Sequence, residues 1–66
     1  MIIIFTLHAK ERMLKNAISA DMITRAIKQG AKQKQTDGFL TSYTYFKVAY
    51  KKIGKDSYKI KTVFIN

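Results

Sequence analysis

The spacing of the apolar residues changes once along this chain, at Gly30. Before Gly30, apolar residues recur at helical spacing in two segments, one from Leu7 to about Lys15 and one around Ile23 and Ile27. After it, apolar and polar residues alternate through a stretch rich in Tyr, Thr, Phe and Val. Helical spacing buries a stripe and alternation buries one face of a strand. The pattern therefore predicts an α+β fold whose helices come before most of its strands.

A short β-branched and aromatic run, Ile2–Phe5, precedes the helices and predicts a first strand. Because this run is wholly apolar, we expect it inside the sheet with both faces covered. The element order is then β-α-α-β-β-β, a two-helix hairpin on one face of a twisted, mostly antiparallel sheet of three to four strands. The other face is expected to be partly open and lined with tyrosines and lysines.

Four residues mark the expected helix ends. Thr6 and Ser19 are candidate N-caps, because a hydroxyl accepts hydrogen bonds from the free amides of a first helical turn. Asn16 is expected to end the first helix, since Asn tolerates the left-handed conformation, and Gly30 to end the second.

The second half of the chain is expected to form the sheet. Lys32–Gln35 is polar and predicts an edge strand, whereas Phe39–Lys52 is long for one strand, which predicts a bend or bulge near Thr41–Thr44. Whether this long run is one strand or two stays open. Tyr58–Ile65 predicts the last strand, and simple alternation along it puts four residues on one face: Tyr58, Ile60, Thr62 and Phe64.

The chain has 66 residues and no cysteine, so it must be stable without disulfides. A core of this size is marginal, which favours a bound partner or a homo-oligomer. One histidine and four scattered acids predict no metal site, and nothing predicts another cofactor. The apolar start is too short for a signal peptide or a membrane span, so we expect a cytoplasmic protein with no membrane contact.

The charge balance is strongly basic, with 13 Lys and Arg against four Asp and Glu, a net charge of +9. Residues 32–66 hold eight of the lysines and two of the acids, a net +6 in the half expected to form strands. A basic sheet face is typical of nucleic-acid binding, with RNA the leading candidate. The alternative is that the lysines serve solubility and protect strand edges.

Three segments resemble a known group of proteins. Leu7–Met13, followed by Ile18-Ser19, resembles the H-A-x-E-R-M … I-S signature of a widespread group of uncharacterised small prokaryotic domains, and Tyr45–Tyr50 and Lys61–Phe64 match its later strands. The resemblance covers essentially the whole chain. In element order that group is similar to the RelE/ParE toxin superfamily, which includes BrnT-like ribonuclease toxins. The resemblance implies a single RelE-like domain over residues 1–66, toxin activity on RNA and an acidic antitoxin partner.

Ribonuclease chemistry of that kind needs no metal, because a base, an acid and cationic groups suffice to orient an RNA 2′-hydroxyl for attack on its own phosphate. His8, Glu11 and Arg12 are the candidate catalytic residues, with His8 as base or acid and Arg12 on the phosphate. The alternatives are a structural His8–Arg12 pair and a surface ion pair between Glu11 and Lys15. Both arginines of the chain lie in the helical half, which departs from the ribosome-dependent members of the superfamily and weakens the case for mRNA cleavage on the ribosome.

Lysines and tyrosines of the strands are the candidate nucleic-acid ligands, the lysines for phosphates and the tyrosines for base stacking. Equally, the tyrosines serve as cross-strand packing residues and the lysines as solvated surface. The candidates are Lys47, Lys51, Lys59, Lys61, Tyr43, Tyr45 and Tyr50, with Tyr58 a further tyrosine of the same kind.

Three functions remain open from the sequence. The first is a toxin-like RNA-binding domain with metal-independent ribonuclease activity. The second is a non-catalytic nucleic-acid-binding module, and the third is an interaction domain that holds an acidic antitoxin-like helix. All three predict a basic face.

Overall fold

The structure is a computed structural model and describes residues 1–65. Its strands form one sheet in the order β1-β5-β4-β3-β2, in which β1 runs parallel to β5 and the other neighbours are antiparallel. The predicted α+β class and the mostly antiparallel sheet are confirmed, with five strands where three to four were expected. The elements are β1 (Ile2–Phe5), α1 (Leu7–Lys15), α2 (Ala20–Gln29), β2 (Ala31–Gln35), β3 (Gly38–Tyr43), β4 (Phe46–Gly54) and β5 (Ser57–Ile65).

The long run Phe39–Lys52 is two strands. Thr44 and Tyr45 form a tight turn between β3 and β4, and Thr44 takes a left-handed φ of 49°. No glycine or proline marks this turn, which is why the sequence left open whether the run is one bent strand or two.

The expectation that β1 lies inside the sheet was wrong. β1 pairs with β5 alone and occupies an edge of the sheet. Ile3 and Phe5 pack against the core, whereas Ile2 and Ile4 are 62% and 47% exposed on the other face. An apolar four-residue strand fits either position by composition, and the pairing of β2 to β5 with their sequence neighbours leaves only the two edges, of which β1 occupies the one beside β5.

The two helix starts lie where the sequence placed them. Thr6 accepts a hydrogen bond from the Ala9 amide (3.1 Å) and donates one to the Ile60 carbonyl of β5 (2.9 Å), which ties the start of α1 to the sheet. Ser19 accepts from the amide of Met22 (3.2 Å), as an N-cap of α2 should.

The helix ends differ from expectation in their backbone. Asn16 is the C-cap of α1 but has a φ of −101°, and the left-handed residue is Ala17 at 54°. Gly30 ends α2 in an extended conformation, with φ −70°. Its small size matters for a different reason: a Cβ at Gly30 would lie 2.2 Å from Thr41 Oγ1, because α2 passes close to β3 here.

Both helices cover the same face of the sheet, where they bury one apolar core. A bulge in β5 shapes this core, since Ala49 pairs with Thr62 and the next residue, Tyr50, pairs with Ile60, leaving Lys61 as the extra residue. Ile60 and Val63 therefore both face the helices, and the predicted alternation along β5 was wrong beyond Lys61. The core consists of Ala9, Ile18, Ile23, Ala26, Ile27, Phe46, Val48, Tyr50, Ile60 and Val63.

The strand β2 forms the other edge, as its polar sequence predicted, and all five of its residues are exposed. Neither helix within residues 1–65 is long and apolar enough to cross a membrane.

Candidate nucleic-acid interface on the open face of the sheet

The four lysines predicted to bind phosphate share the sheet face that the helices leave uncovered, here called the open face. Lys47 and Lys51 alternate along β4 with the buried Val48 and Tyr50, which point to the helices. Lys59 pairs with Lys51 across β4 and β5 and so points the same way. Lys61, the bulge residue, reaches the same ion-pair partner as Lys51. The expected basic face is therefore confirmed in position.

Asp37, in the turn between β2 and β3, holds two of these lysines. Its carboxylate lies 3.1 Å from Lys51 Nζ and 3.8 Å from Lys61 Nζ, and Lys61 also donates a hydrogen bond to the Asp37 carbonyl (2.6 Å). The hydrogen bond and charge of Lys51, together with the charge of Lys61, hold the pKa of Asp37 below its ordinary value. This turn therefore fixes the positions of Lys51 and Lys61 and offsets part of their charge.

Lys51 and Lys59 lie directly opposite each other on neighbouring strands. Like charges at such positions repel, and the Asp37 carboxylate beside Lys51 offsets only part of this repulsion. Within residues 1–65, neither Lys47 nor Lys59 lies within ion-pair distance of a carboxylate. Lys47, Lys51 and Lys59 thus form a cationic row. A bound polyanion would reduce the repulsion between these three ammonium groups.

The tyrosines do not line the open face, and this part of the prediction was wrong. Tyr50 is 3% exposed, stacks on Phe39 and meets Tyr58 edge to face, all on the helix-covered side. Tyr43 is half-buried on that side and donates from its hydroxyl to Gln29 of α2 (3.3 Å). Only Tyr45, in the β3–β4 turn, is substantially exposed, at 50%.

The alternation of side chains along β4 explains why Tyr50 is buried. Phe46 is buried, so every second residue after it also faces the helices, which places Tyr50 inside. Burial raises the pKa of the Tyr50 hydroxyl above its ordinary value, and the neighbouring Tyr58 adds to the effect. A buried ring offers no free face to a base, so Tyr50 acts as a core residue.

An aromatic residue that the sequence reasoning did not select lies on the open face. Phe64 of β5 pairs with Lys47 of β4 and is 39% exposed. Simple alternation grouped Phe64 with Ile60, and the bulge at Lys61 moved it to the opposite side. The residue type alone gave no signal for this position, because the bulge decides which face it occupies.

The candidate catalytic residues His8, Glu11 and Arg12 lie together on α1. With Lys15 they line a shallow groove of about 320 Å³, and all four side chains are exposed. The spacing of three and four residues brings them to one side of the helix, as expected. The i,i+4 ion pair found among residues 1–65 joins Asp21 and Arg25 (3.2 Å), not Glu11 and Lys15.

The catalytic candidates and the lysine row are not brought together. α1 packs on β5 from the helix-covered side, whereas the lysines project from the open face. The sheet therefore stands between α1 and the lysine row. A ligand on the lysine row does not reach His8 without passing around the edge of the sheet.

Comparison of this chain with protein-family models, with curated proteins and with solved structures found no match. Within residues 1–65, no group of three or more His, Cys, Asp or Glu side chains is placed to hold a metal ion.

Proposed function

We propose that this chain binds single-stranded nucleic acid, RNA in particular, on the open face of its sheet. The observation that carries the proposal is the cationic row of Lys47, Lys51 and Lys59 beside the exposed ring of Phe64 on one uncovered surface. Single strands are bound where cationic side chains contact the backbone and an aromatic ring stacks on a base. A helix-free sheet face can offer both at once.

The spacing of the lysines supports a strand-like ligand. Lys47 and Lys51 are four residues apart on β4, or roughly 13 Å. Lys59 lies opposite Lys51 on the neighbouring strand β5, roughly 5 Å from it. Cations distributed over this distance contact several phosphates of one strand. Lysines used for solubility alone need no such alignment with an exposed aromatic residue.

The test is RNA binding measured by fluorescence anisotropy with a labelled single-stranded oligonucleotide over a series of salt concentrations. We expect the double variant Lys47→Gln/Lys59→Gln to bind more weakly and to lower the slope of log K against log salt by about 1.4, since each lost phosphate contact removes about 0.7. The matched control is Lys10→Gln/Lys28→Gln, which removes the same charge from the exposed surface of the helices.

Equal weakening by both double variants would contradict the proposal, because it would show a response to net charge alone. Competition by polyglutamate as strong as competition by unlabelled RNA would instead favour the third function, an interaction domain for an acidic antitoxin-like protein. Both measurements use the intact chain, with circular dichroism to establish that each variant is folded.

A second candidate function is metal-independent RNA cleavage at the α1 groove, within the RelE-like toxin family that the sequence resembles. What supports it is the meeting of His8, Glu11 and Arg12 in one groove, together with the order of a first strand, two helices and a mostly antiparallel sheet. In this reaction His8 exchanges a proton with the attacking 2′-hydroxyl or the leaving oxygen, and Arg12 holds the phosphate.

Cleavage is tested by incubating labelled RNA with the protein in the presence of a chelator. We expect His8→Ala and Arg12→Ala each to slow cleavage by about 100-fold or more. Thr24→Ala, on α2, serves as the unaffected control. Absence of cleavage by the unaltered protein, or cleavage that survives both substitutions, would remove this candidate and leave the binding function standing.

A further inference from the structure

The two edges of the sheet differ in chemistry. The outer strand β2 carries Lys32 and Lys34 among exposed polar residues, which discourages pairing with another chain. The other edge, β1, is Ile-Ile-Ile-Phe, with no charge, no proline and no bulge. Only one edge of this sheet is protected against strand addition.

The backbone of β1 has free hydrogen-bonding groups on its outer side. The amides of Ile2 and Thr6 donate to carbonyls at the β5 side, those of Asp56 (2.9 Å) and Ile60 (3.4 Å). Because successive residues of a strand direct their N–H and C=O groups to opposite sides, Ile3 and Phe5 direct theirs outwards. Within residues 1–65 no strand occupies that outer side.

Exposed apolar side chains surround this edge. Ile2 and Ile4 project on the open face, and Met1 and Leu7, just before and after β1, are 45% and 75% exposed. This segment is apolar in a chain that otherwise carries a charge of +9. The net charge opposes contact between two copies in every orientation, but pairing at the β2 edge would add Lys32 and Lys34 to the contact, whereas β1 adds no charged side chain.

We propose that two copies of this chain associate through antiparallel pairing of their β1 strands, with Ile4 facing Ile4 of the second copy across a two-fold axis. In this register Ile3 and Phe5 of each copy exchange hydrogen bonds with Phe5 and Ile3 of the other, which satisfies the outward groups of both strands. The four exposed Ile2 and Ile4 side chains pack together on one face. The result is a continuous ten-stranded sheet from two five-stranded ones.

The two-fold axis is perpendicular to the sheet, so the open faces of both copies lie on the same side. The lysine rows of β4 and β5 then flank a central apolar strip formed by β1 of each copy. This arrangement doubles the basic surface available to one ligand, but the pairing itself does not depend on nucleic-acid binding.

The test is sedimentation equilibrium of the full chain over a range of protein and salt concentrations. We expect a monomer–dimer equilibrium that tightens as salt rises, because screening weakens the repulsion between two strongly basic copies. Nucleic-acid binding has the opposite salt dependence, so the two proposals fail independently.

Ile4→Lys is expected to raise the dimer dissociation constant by about tenfold or more, since it places two like charges directly opposite each other. Ile53→Lys is the matched control, because Ile53 is 46% exposed against 47% for Ile4 and lies on β4, two strands away from β1. The control is expected to dimerise like the unaltered protein.

Hydrogen exchange supplies a second measurement that does not depend on a variant. The amides of Ile3 and Phe5 are expected to gain protection as protein concentration rises, whereas that of Ile2, already bonded at the β5 side, is expected to change little. A monomer at all concentrations up to about 1 mM would overturn the proposal and leave the edge to a strand of another protein. A dimer unaffected by Ile4→Lys, or one without protection at Ile3 and Phe5, would overturn it as well.

Discussion

The hydroxyl of Thr41 donates a hydrogen bond of 2.8 Å to the carbonyl of Ala26, and both residues are fully buried. Thr41 lies on β3 and Ala26 on the last turn of α2, so this bond fixes the second helix to the sheet. It also accounts for a polar side chain in an otherwise apolar core, since a buried hydroxyl is tolerated where it has a partner.

Replacing Thr41 with Val keeps the shape of the side chain but removes the donor. We expect the free energy of unfolding to fall by about 1 kcal/mol, as is typical for one buried hydrogen bond. Thr24→Val is the control, because its hydroxyl also donates to a helix carbonyl, that of Ala20 (3.1 Å), but at the surface. Urea denaturation followed by circular dichroism measures the free energy of unfolding of both variants. If Thr24→Val lost as much stability as Thr41→Val, the buried hydrogen bond would not be the stabilising contact.

Gly30→Ala is expected to destabilise the fold by about 1–3 kcal/mol through overpacking. An added methyl group would approach Thr41 Oγ1 to 2.2 Å and the Ala26 carbonyl oxygen to 2.5 Å. Gly54→Ala provides the comparison, since a Cβ there meets nothing closer than 3.8 Å. We expect Gly54→Ala to change stability by less than about 0.5 kcal/mol, and similar thermal midpoints for the two variants would show that α2 can move away from β3.

The ion pairs of Asp37 predict a dependence of stability on pH. The pKa of Asp37 is lower in the folded chain than its ordinary value of 3.8, chiefly because Lys51 donates to it. The ionised Asp37 therefore stabilises the fold at any pH above its pKa in the unfolded chain. This contribution is lost as the pH falls through the lower pKa that Asp37 has in the folded chain. Unfolding measured from pH 7 to pH 2 should show the unaltered chain more stable than Asp37→Asn near neutrality, with the difference vanishing at the acid end.

The same variant separates stability from binding. Asp37→Asn frees Lys51 and Lys61 and raises the net charge of the open face, so we expect it to bind RNA more tightly although it is less stable. Anisotropy measured near neutral pH compares the two chains. Weaker binding by the variant would indicate that Asp37 is needed to hold the two lysines in position.

The exposed rings of Phe64 and Tyr45 are expected to differ in their effect on RNA binding. Phe64→Ala should weaken binding by about 1–3 kcal/mol if a base stacks on its exposed ring beside Lys47. Tyr45→Ala removes a ring of similar exposure from the β3–β4 turn, where its neighbour is Phe46, and should change binding little. A larger effect at Tyr45 would place the ligand over that turn.

The helices and the fold class could be predicted from the sequence because their determinants are local. Thr6 and Ser19 cap helices within three residues of the amides they bond, and the switch to alternating residues after Gly30 separates helices from strands. The basic face was also predictable, since lysines at every fourth position of a strand must project on one side. His8, Glu11 and Arg12 share a groove for the same reason, their helical spacing.

Tertiary structure decided which face each strand residue occupies and where β1 lies. A single bulge at Lys61 exchanged the two faces for the residues of β5 that follow it, so that Phe64 lies on the open face. The burial of Phe46 fixed which residues of β4 face the helices, which placed Tyr50 inside, and pairing with β5 alone left β1 at an unprotected edge. These outcomes depend on contacts between residues far apart in sequence, and alternation within one strand carries no information about which side the rest of the chain will cover.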